Sequence, residues 1–273
     1  MEDTMNEIIK EKLNKAIADK TLKLPSLPDI ILRVNSALSD DGKSVLDISK
    51  IIQNDVSLSA RLLQIANSPA IRGAREISSI KDAISRLGID LVKNIAICVA
   101  IRDKFKSKNP KFTNMLTKIL DDSIRSSVYC YIISKSVVIN KDIKPEISLI
   151  VGLLHNIGSL PVIGFISESK EYQGMDLDKI TNAINEVGPY IGEKILTLWD
   201  FQVNIVKSIY TTEIHCINAP VTYGDIFELA NAYHDVKNGE IRYDLDSSVF
   251  DKIESAMEES KEEIKSLISL FSS

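Results

Sequence analysis

The chain has 273 residues, of which 44% are apolar, 26% charged and 6% aromatic, a balance that excludes disordered and collagen-like proteins and leaves room for one large domain or two packed sub-bundles. The net charge of −5 divides into +6 over residues 1–140 (22 Lys+Arg, 16 Asp+Glu) and −11 over residues 141–273 (11 against 22). The basic half interleaves its lysines with acids, which weighs against a nucleic-acid face.

Glycine and proline are sparse, and the apolar set leans on Ile, Leu and Ala, a helical bias. Met5, Ile8, Ile9, Leu13, Ala16 and Ile17 recur at helical spacing, with Thr4 and Glu7 expected as a capping box. No apolar core or cleavage site suggests a secretion signal there. A second helix is expected behind Ser26, with Pro28 in its first turn, and should end at Asp40-Asp41-Gly42. Ser44 with Asp47 opens a third, the pattern continues over residues 56–67, and Pro69 and Gly73 break the chain. Ser79 with Asp82 caps another helix that Gly88 stops, and residues 89–101 are apolar nearly all round.

Residues 102–111 carry five bases, one acid and Pro110, and read as a solvated connection between two helical halves. Beyond it the pattern predicts a long helix over 112–138 and one from Pro145 that stops near Gly158. Shorter helices are expected at 177–187, 189–198, 203–209 and 222–234. After a lapse at 237–246 comes a single acidic tail helix with Phe250, Ile253, Met257, Ile264, Leu267, Ile268 and Phe271 on one face. That stripe is a candidate partner-binding face, although such a stripe more often packs on its own domain. No alternating strand pattern appears, so the expected fold class is all-α.

The window 147–167 lacks formal charge and is long enough to span a bilayer, but His155, Asn156, Gly158 and Pro161 interrupt it, and no membrane insertion is expected. Cys98, Cys130 and Cys216 are odd in number and far apart, and read as reduced core residues. His155, His215 and His234 are separated by 60 and 19 residues, so no two share a helix face. No Gly-rich phosphate cradle or nucleophile elbow occurs. Lys104, Lys106, Lys108 and Lys111 could touch phosphate, but with only Phe105 and Phe112 among them they read as a linker. Trp199 reads as core.

The most informative segment is Gly152-Leu153-Leu154-His155-Asn156-Ile157-Gly158, where two polar residues interrupt a strongly apolar run. It resembles the Gly-Leu-Leu-His-Asp-Ile-Gly signature of HD-type metal phosphohydrolases and of their relatives, the HDOD (HD-related output) domains, with Asn156 in the place of the Asp. The HDOD resemblance extends through Leu24-Pro25-Ser26-Leu27-Pro28, Asp55 to Asn67-Ser68, Ile77-Ser78-Ser79-Ile80, Ala83-Ile84, Leu87-Gly88 and the run from Gly192 to Trp199. It implies an all-α fold, with an N-terminal sub-bundle (22–110) packed on a degenerate HD-like sub-bundle (111–235). Residues 1–21 and 236–273 fall outside as terminal helices.

Carried over by position, the parent enzymes' metal residues fall at Asp122, at His155 and Asn156, near Gly188 and Tyr210 or Thr211, and at Asn231. Only His155 is retained. A water-activating metal needs several oxygen or nitrogen donors, so no metal or other cofactor is expected, and His155 reads as a hydrogen-bonded core remnant. The resemblance implies a non-enzymatic module of cytoplasmic bacterial signal transduction, acting on protein partners in trans. Two rivals remain: a phosphohydrolase for nucleotides or cyclic dinucleotides, whose bound metal would reveal it, and a nucleic-acid binder, whose affinity would fall steeply with salt.

Overall fold

A computed structural model of the chain describes residues 2–19, 21, 24–38, 40, 44–68, 71–72, 74–104, 110–137, 142–172, 176–210, 222–239 and 247–272. Among the described residues the structure is all-helical, with no strand. The first half contains α1 (Glu2–Ala18), α2 (Asp29–Leu38), α3 (Val45–Gln53), α4 (Val56–Ala66), α5 (Ile80–Leu87) and α6 (Ile89–Lys104). The second contains α7 (Pro110–Ser136), α8 (Pro145–Leu154), α9 (Ser159–Glu168), a short 3-10 turn at Lys170–Tyr172, α10 (Leu177–Leu198), α11 (Val203–Tyr210), α12 (Tyr223–Lys237), α13 (Ser247–Glu259) and α14 (Lys261–Ser272).

Many residues that carry the family resemblance turn out to cap and brace these helices. Asp55 accepts from the Leu58 N–H at 2.9 Å to start α4, and Ser79 Oγ accepts from the Asp82 N–H at 3.0 Å to start α5. The Ser44 N–H donates to Asp47 at 3.0 Å, the expected box at the head of α3. Asn67 exchanges two bonds with the backbone of Ile77 (2.7 and 2.9 Å), so its amide closes the loop between α4 and α5 as a strand neighbour would. Arg86 braces the same loop by donating to the carbonyls of Ala66 (2.9 Å) and Arg75 (2.7 Å). The indole N–H of Trp199 donates to the Pro25 carbonyl at 2.8 Å, tying the entry to α2 to the end of α10.

Helix α7 is the axis of the second half, packed against α8, α12, α13 and α14. Its tightest neighbour is α8, because Gly152 has no side chain: a Cβ there would lie 2.6–2.7 Å from the backbone of Ser126 and Ser127. A single buried core runs from Ile9 and Leu13 of α1 through Ile95, Ile132 and Ile163 to Leu267 and Phe271 of α14.

The structure departs from the sequence expectations in four respects, the first of them at two helix starts. First, α1 begins at Glu2, so Thr4 lies inside it rather than capping it, and Pro28 sits one residue ahead of α2, its carbonyl accepting from the Ile31 and Leu32 N–H groups. Second, Pro161 is not a breaker: it lies in the first turn of α9, where its missing N–H would have had no intrahelical partner. Third, the helices expected at 177–187 and 189–198 are one 22-residue helix, α10, running through Gly188-Pro189. Proline forfeits one backbone bond, and burial of Ile184, Val187, Ile191 and Ile195 outweighs that loss. Fourth, the tail is two helices that meet at Ser260, α13 facing α7 and α12, and α14 facing α7, α4 and α6.

The apolar segment Pro145–Glu168 divides into α8 and α9, and 78% of its most apolar window is buried inside the protein.

Candidate functional site

The turn after α8 presents two adjacent polar side chains to α7 and α12. His155 ends α8, and residues 155–158 form a tight turn into α9, with Ile157 N–H to Leu154 O at 3.0 Å and Ser159 N–H to Asn156 O at 2.9 Å. Gly158 is required at the exit: a Cβ would lie 2.0 Å from the Gly188 carbonyl and 2.3 Å from the Gly192 nitrogen, so the turn rests on the backbone of α10.

His155 Nδ1 lies 2.7 Å from the Gly152 carbonyl. A carbonyl only accepts, so Nδ1 carries the proton and Nε2 is left as an acceptor. Asn156 Nδ2 donates to Nε2 at 2.6 Å, and lies 3.5 Å from Asp122 Oδ2 on α7. His155 Nε2 and Asp122 Oδ2 are 3.7 Å apart, and the Asn156 amide bridges the two acceptors. Asp122 Oδ1 takes a hydrogen-bonded ion pair from Arg125, one turn along α7.

Helix α12 closes the cluster: the Phe227 ring lies 4.8 Å from the imidazole, centre to centre, and Asn231 Oδ1 accepts from Ser126 Oγ at 3.4 Å. Burial pushes the His155 pKa down to about 4; the Gly152 bond opposes this, Arg125 adds to it and Glu228 opposes it. His155 is therefore neutral at pH 7. Burial also lowers the pKa of Arg125, against the attraction of Tyr129, Asp235 and Asp121.

The carried-over positions thus separate into two places. Asp122, His155 and Asn156 converge, while Asn231 of α12 accepts from Ser126 on the neighbouring stretch of α7. Gly188 packs against Ser159, and Tyr210 places its buried hydroxyl, which has no hydrogen-bond partner among the described residues, where a Cβ of Gly192 would stand, so these two build the α9–α10–α11 junction and not the cluster at His155. Thr211, His215, Cys216, Phe105, Lys106 and Lys108 lie outside the described residues. Cys130 is fully buried, and burial raises its thiol pKa.

Arg125, Phe227 and Ser126 were not singled out from the sequence. The spacing of Asp122 and Arg125, three residues apart on one helix, was the available signal for the first. The tail stripe, a candidate partner face by sequence, is taken up by the molecule itself: Ile253, Met257, Leu267 and Phe271 are buried, and Phe250, Ile264 and Ile268 pack half-buried against the core. Both halves of the stripe therefore face the core.

A metal centre of the HD type does not fit these residues. No group of three or more His, Cys, Asp or Glu able to hold a metal occurs among the described residues, and the two donors that do converge are already bridged by an amide. Beside Asn156, a cavity lined by Ile101, Ile119, Leu153, Ile157 and Leu160 has a volume of about 10 Å3, room for one water molecule.

Fold and site together define an all-helical protein in which Asp122 and His155 face each other across the Asn156 amide. The HDOD domain model matches residues 24–214, and the chain belongs to the HDOD family. A Shewanella amazonensis protein provisionally named a metal-dependent phosphohydrolase superposes with a TM-score of 0.76 at 21% identity, covering 97% of this chain and 99% of that one. An HDOD protein of unknown function from Geobacter sulfurreducens gives 0.64 at 20% identity, over 98% of both chains. A Marinobacter aquaeolei protein provisionally named for signal transduction gives 0.64 at 19% identity, over 98% of this chain and 66% of that one. These likenesses establish the fold. In sequence, an uncharacterized protein of Treponema pallidum is 26% identical over 149 residues, 55% of this chain and 28% of that protein's length.

Proposed function

We propose that this chain is a non-enzymatic output module of bacterial signal transduction, working in the cytoplasm by binding protein partners. The observation that carries the reading is the closed hydrogen-bond circuit at the former HD pair: His155 Nε2 and Asp122 Oδ2 both face the Asn156 amide, and the adjoining cavity holds no more than a water. A phosphoester needs an activated water, a metal or general base to generate it, and space for the phosphoryl group. Membership of the HDOD family supports the signalling reading, as does the name given to the Marinobacter neighbour. The surface offers apolar side chains for a partner on the first-half helices, with Val56 81% exposed and Leu32 and Leu46 about half exposed.

Two measurements test this. Purified protein supplied with Mn2+ should hydrolyse neither p-nitrophenyl phosphate nor a cyclic dinucleotide, and turnover abolished by His155→Ala would overturn the reading. Affinity capture from the native cell should recover a protein partner whose retention falls with Val56→Glu or Leu46→Glu while the melting temperature stays unchanged.

A further inference from the structure

We infer that Arg125 and Asn156 together replace the metal ion of an HD centre: the guanidinium supplies its positive charge and the amide its bridging position, so the site is held together by the chain's own side chains and closed to divalent cations. The inference rests on the non-enzymatic reading and goes further, because it assigns residues to the vacated role and states what would undo them.

A metal between an imidazole and a carboxylate does two things: it satisfies two converging acceptors, and it neutralises the carboxylate. Both tasks have an occupant here. The two hydrogens of Asn156 Nδ2 serve His155 Nε2 at 2.6 Å and Asp122 Oδ2 at 3.5 Å, acceptors 3.7 Å apart that would otherwise confront each other across a gap suited to a cation. An Asp at position 156 has no hydrogen to offer either acceptor and would add a second carboxylate. The other oxygen of Asp122 is held by Arg125, whose charge also reaches His155. Arg125 has the further acidic neighbours Asp121 and Asp235, and is only 27% exposed, so it is fixed beside the cluster rather than free to swing away. An entering divalent ion would have to break the His155–Asn156 bond, strip Asp122 from Arg125 and sit against the guanidinium charge. His155 keeps its Nδ1 bond to Gly152 throughout, the orientation that a metal-ligating imidazole uses.

The test is Mn2+ titration calorimetry on the full chain, with circular dichroism and melting curves to establish that each variant is folded. Wild type should bind no stoichiometric Mn2+. Asn156→Asp alone should stay metal-free, because Arg125 still neutralises Asp122. The Arg125→Ala/Asn156→Asp double variant should gain about one equivalent, at least tenfold tighter than wild type, and lose it when His155→Ala is added. Arg125→Lys/Asn156→Asp, which keeps the charge, should bind more weakly than the Ala version. Wild-type binding that depends on His155 would overturn the inference, as would binding by Asn156→Asp as tight as the double variant's. A folded double variant that binds no better than wild type would overturn it too. Any of these can happen without wild-type hydrolysis, so this inference and the proposed function fail separately.

Discussion

The most consequential single residue is His155, because both of its ring nitrogens are engaged inside a buried cluster. Its imidazole is 13% exposed, donates to Gly152 and accepts from Asn156, so it acts as a joint between α8, α7 and α12. Its lowered pKa makes a signed prediction. The folded state disfavours the charged imidazole, so the unfolded chain takes up a proton first as pH falls from about 6.5, and the stability this histidine contributes is complete above that value and lost as pH drops through about 4. The total is about 3 kcal/mol. Urea denaturation of wild type and His155→Gln at pH 7, 5.5 and 4.5 should show wild type falling more steeply, and parallel pH profiles would show that His155 does not titrate this way. At neutral pH, His155→Ala should lose roughly 1–3 kcal/mol by leaving buried partners unsatisfied.

Among elements, the close approach of α8 and α9 to their neighbours decides whether the site exists. Gly158→Ala would push a methyl to 2.0 Å from the Gly188 carbonyl, backbone on backbone with no flexible end to yield. We expect a loss of about 3 kcal/mol, read as a fall in melting temperature, whereas Gly164→Ala, with open space around it inside α9, should leave stability unchanged or raise it by up to about 1 kcal/mol and serves as the control. The end of α10 offers the opposite case. Asp200 adopts φ 59, and the Asp200 and Phe201 N–H groups return to the carbonyls of Thr197 and Leu196 in a Schellman arrangement. An L side chain there stores strain, so Asp200→Gly should stabilise the protein by up to about 1 kcal/mol. A lower melting temperature would mean that the Asp side chain makes a compensating contact.

At the scale of the whole molecule, the two ends of the chain cross onto the opposite halves. Helix α1 lies on α10, where Tyr190 Oη donates to Asn14 Oδ1 at 2.7 Å, and α14 bridges α4 and α6 to α7, where Lys135 pairs with Glu263 at 2.9 Å. The exposed ion pair adds little; the anchoring comes from Ile253, Met257, Leu267 and Phe271. At roughly 1.5–3 kcal/mol for each buried side chain, their loss is comparable with the stability of an ordinary domain. Truncation after Leu245 should therefore abolish cooperative melting, and Leu267→Ala alone should cost about 2–4 kcal/mol. A truncated chain that melts as wild type would show that the tail docks without stabilising.

The sequence by itself determined the helices and much of their punctuation, because those are local: apolar spacing, Ser44 with Asp47, Ser79 with Asp82, and Gly88 at φ 78 act within a turn or two of chain. It also showed that His155 and Asn156 interrupt an apolar run. Tertiary structure decided where local signals were outweighed or silent. Burial of one face carried α10 through Gly188-Pro189, and the tail divides at Ser260 so that α13 and α14 pack on different sets of helices. Only packing could set Asp122 and Arg125 beside His155, 30 or more residues away, and bring Phe227 and Asn231 across from α12. A histidine's role depends on which atoms face its two nitrogens, and those atoms come from chain segments whose meeting no local spacing encodes.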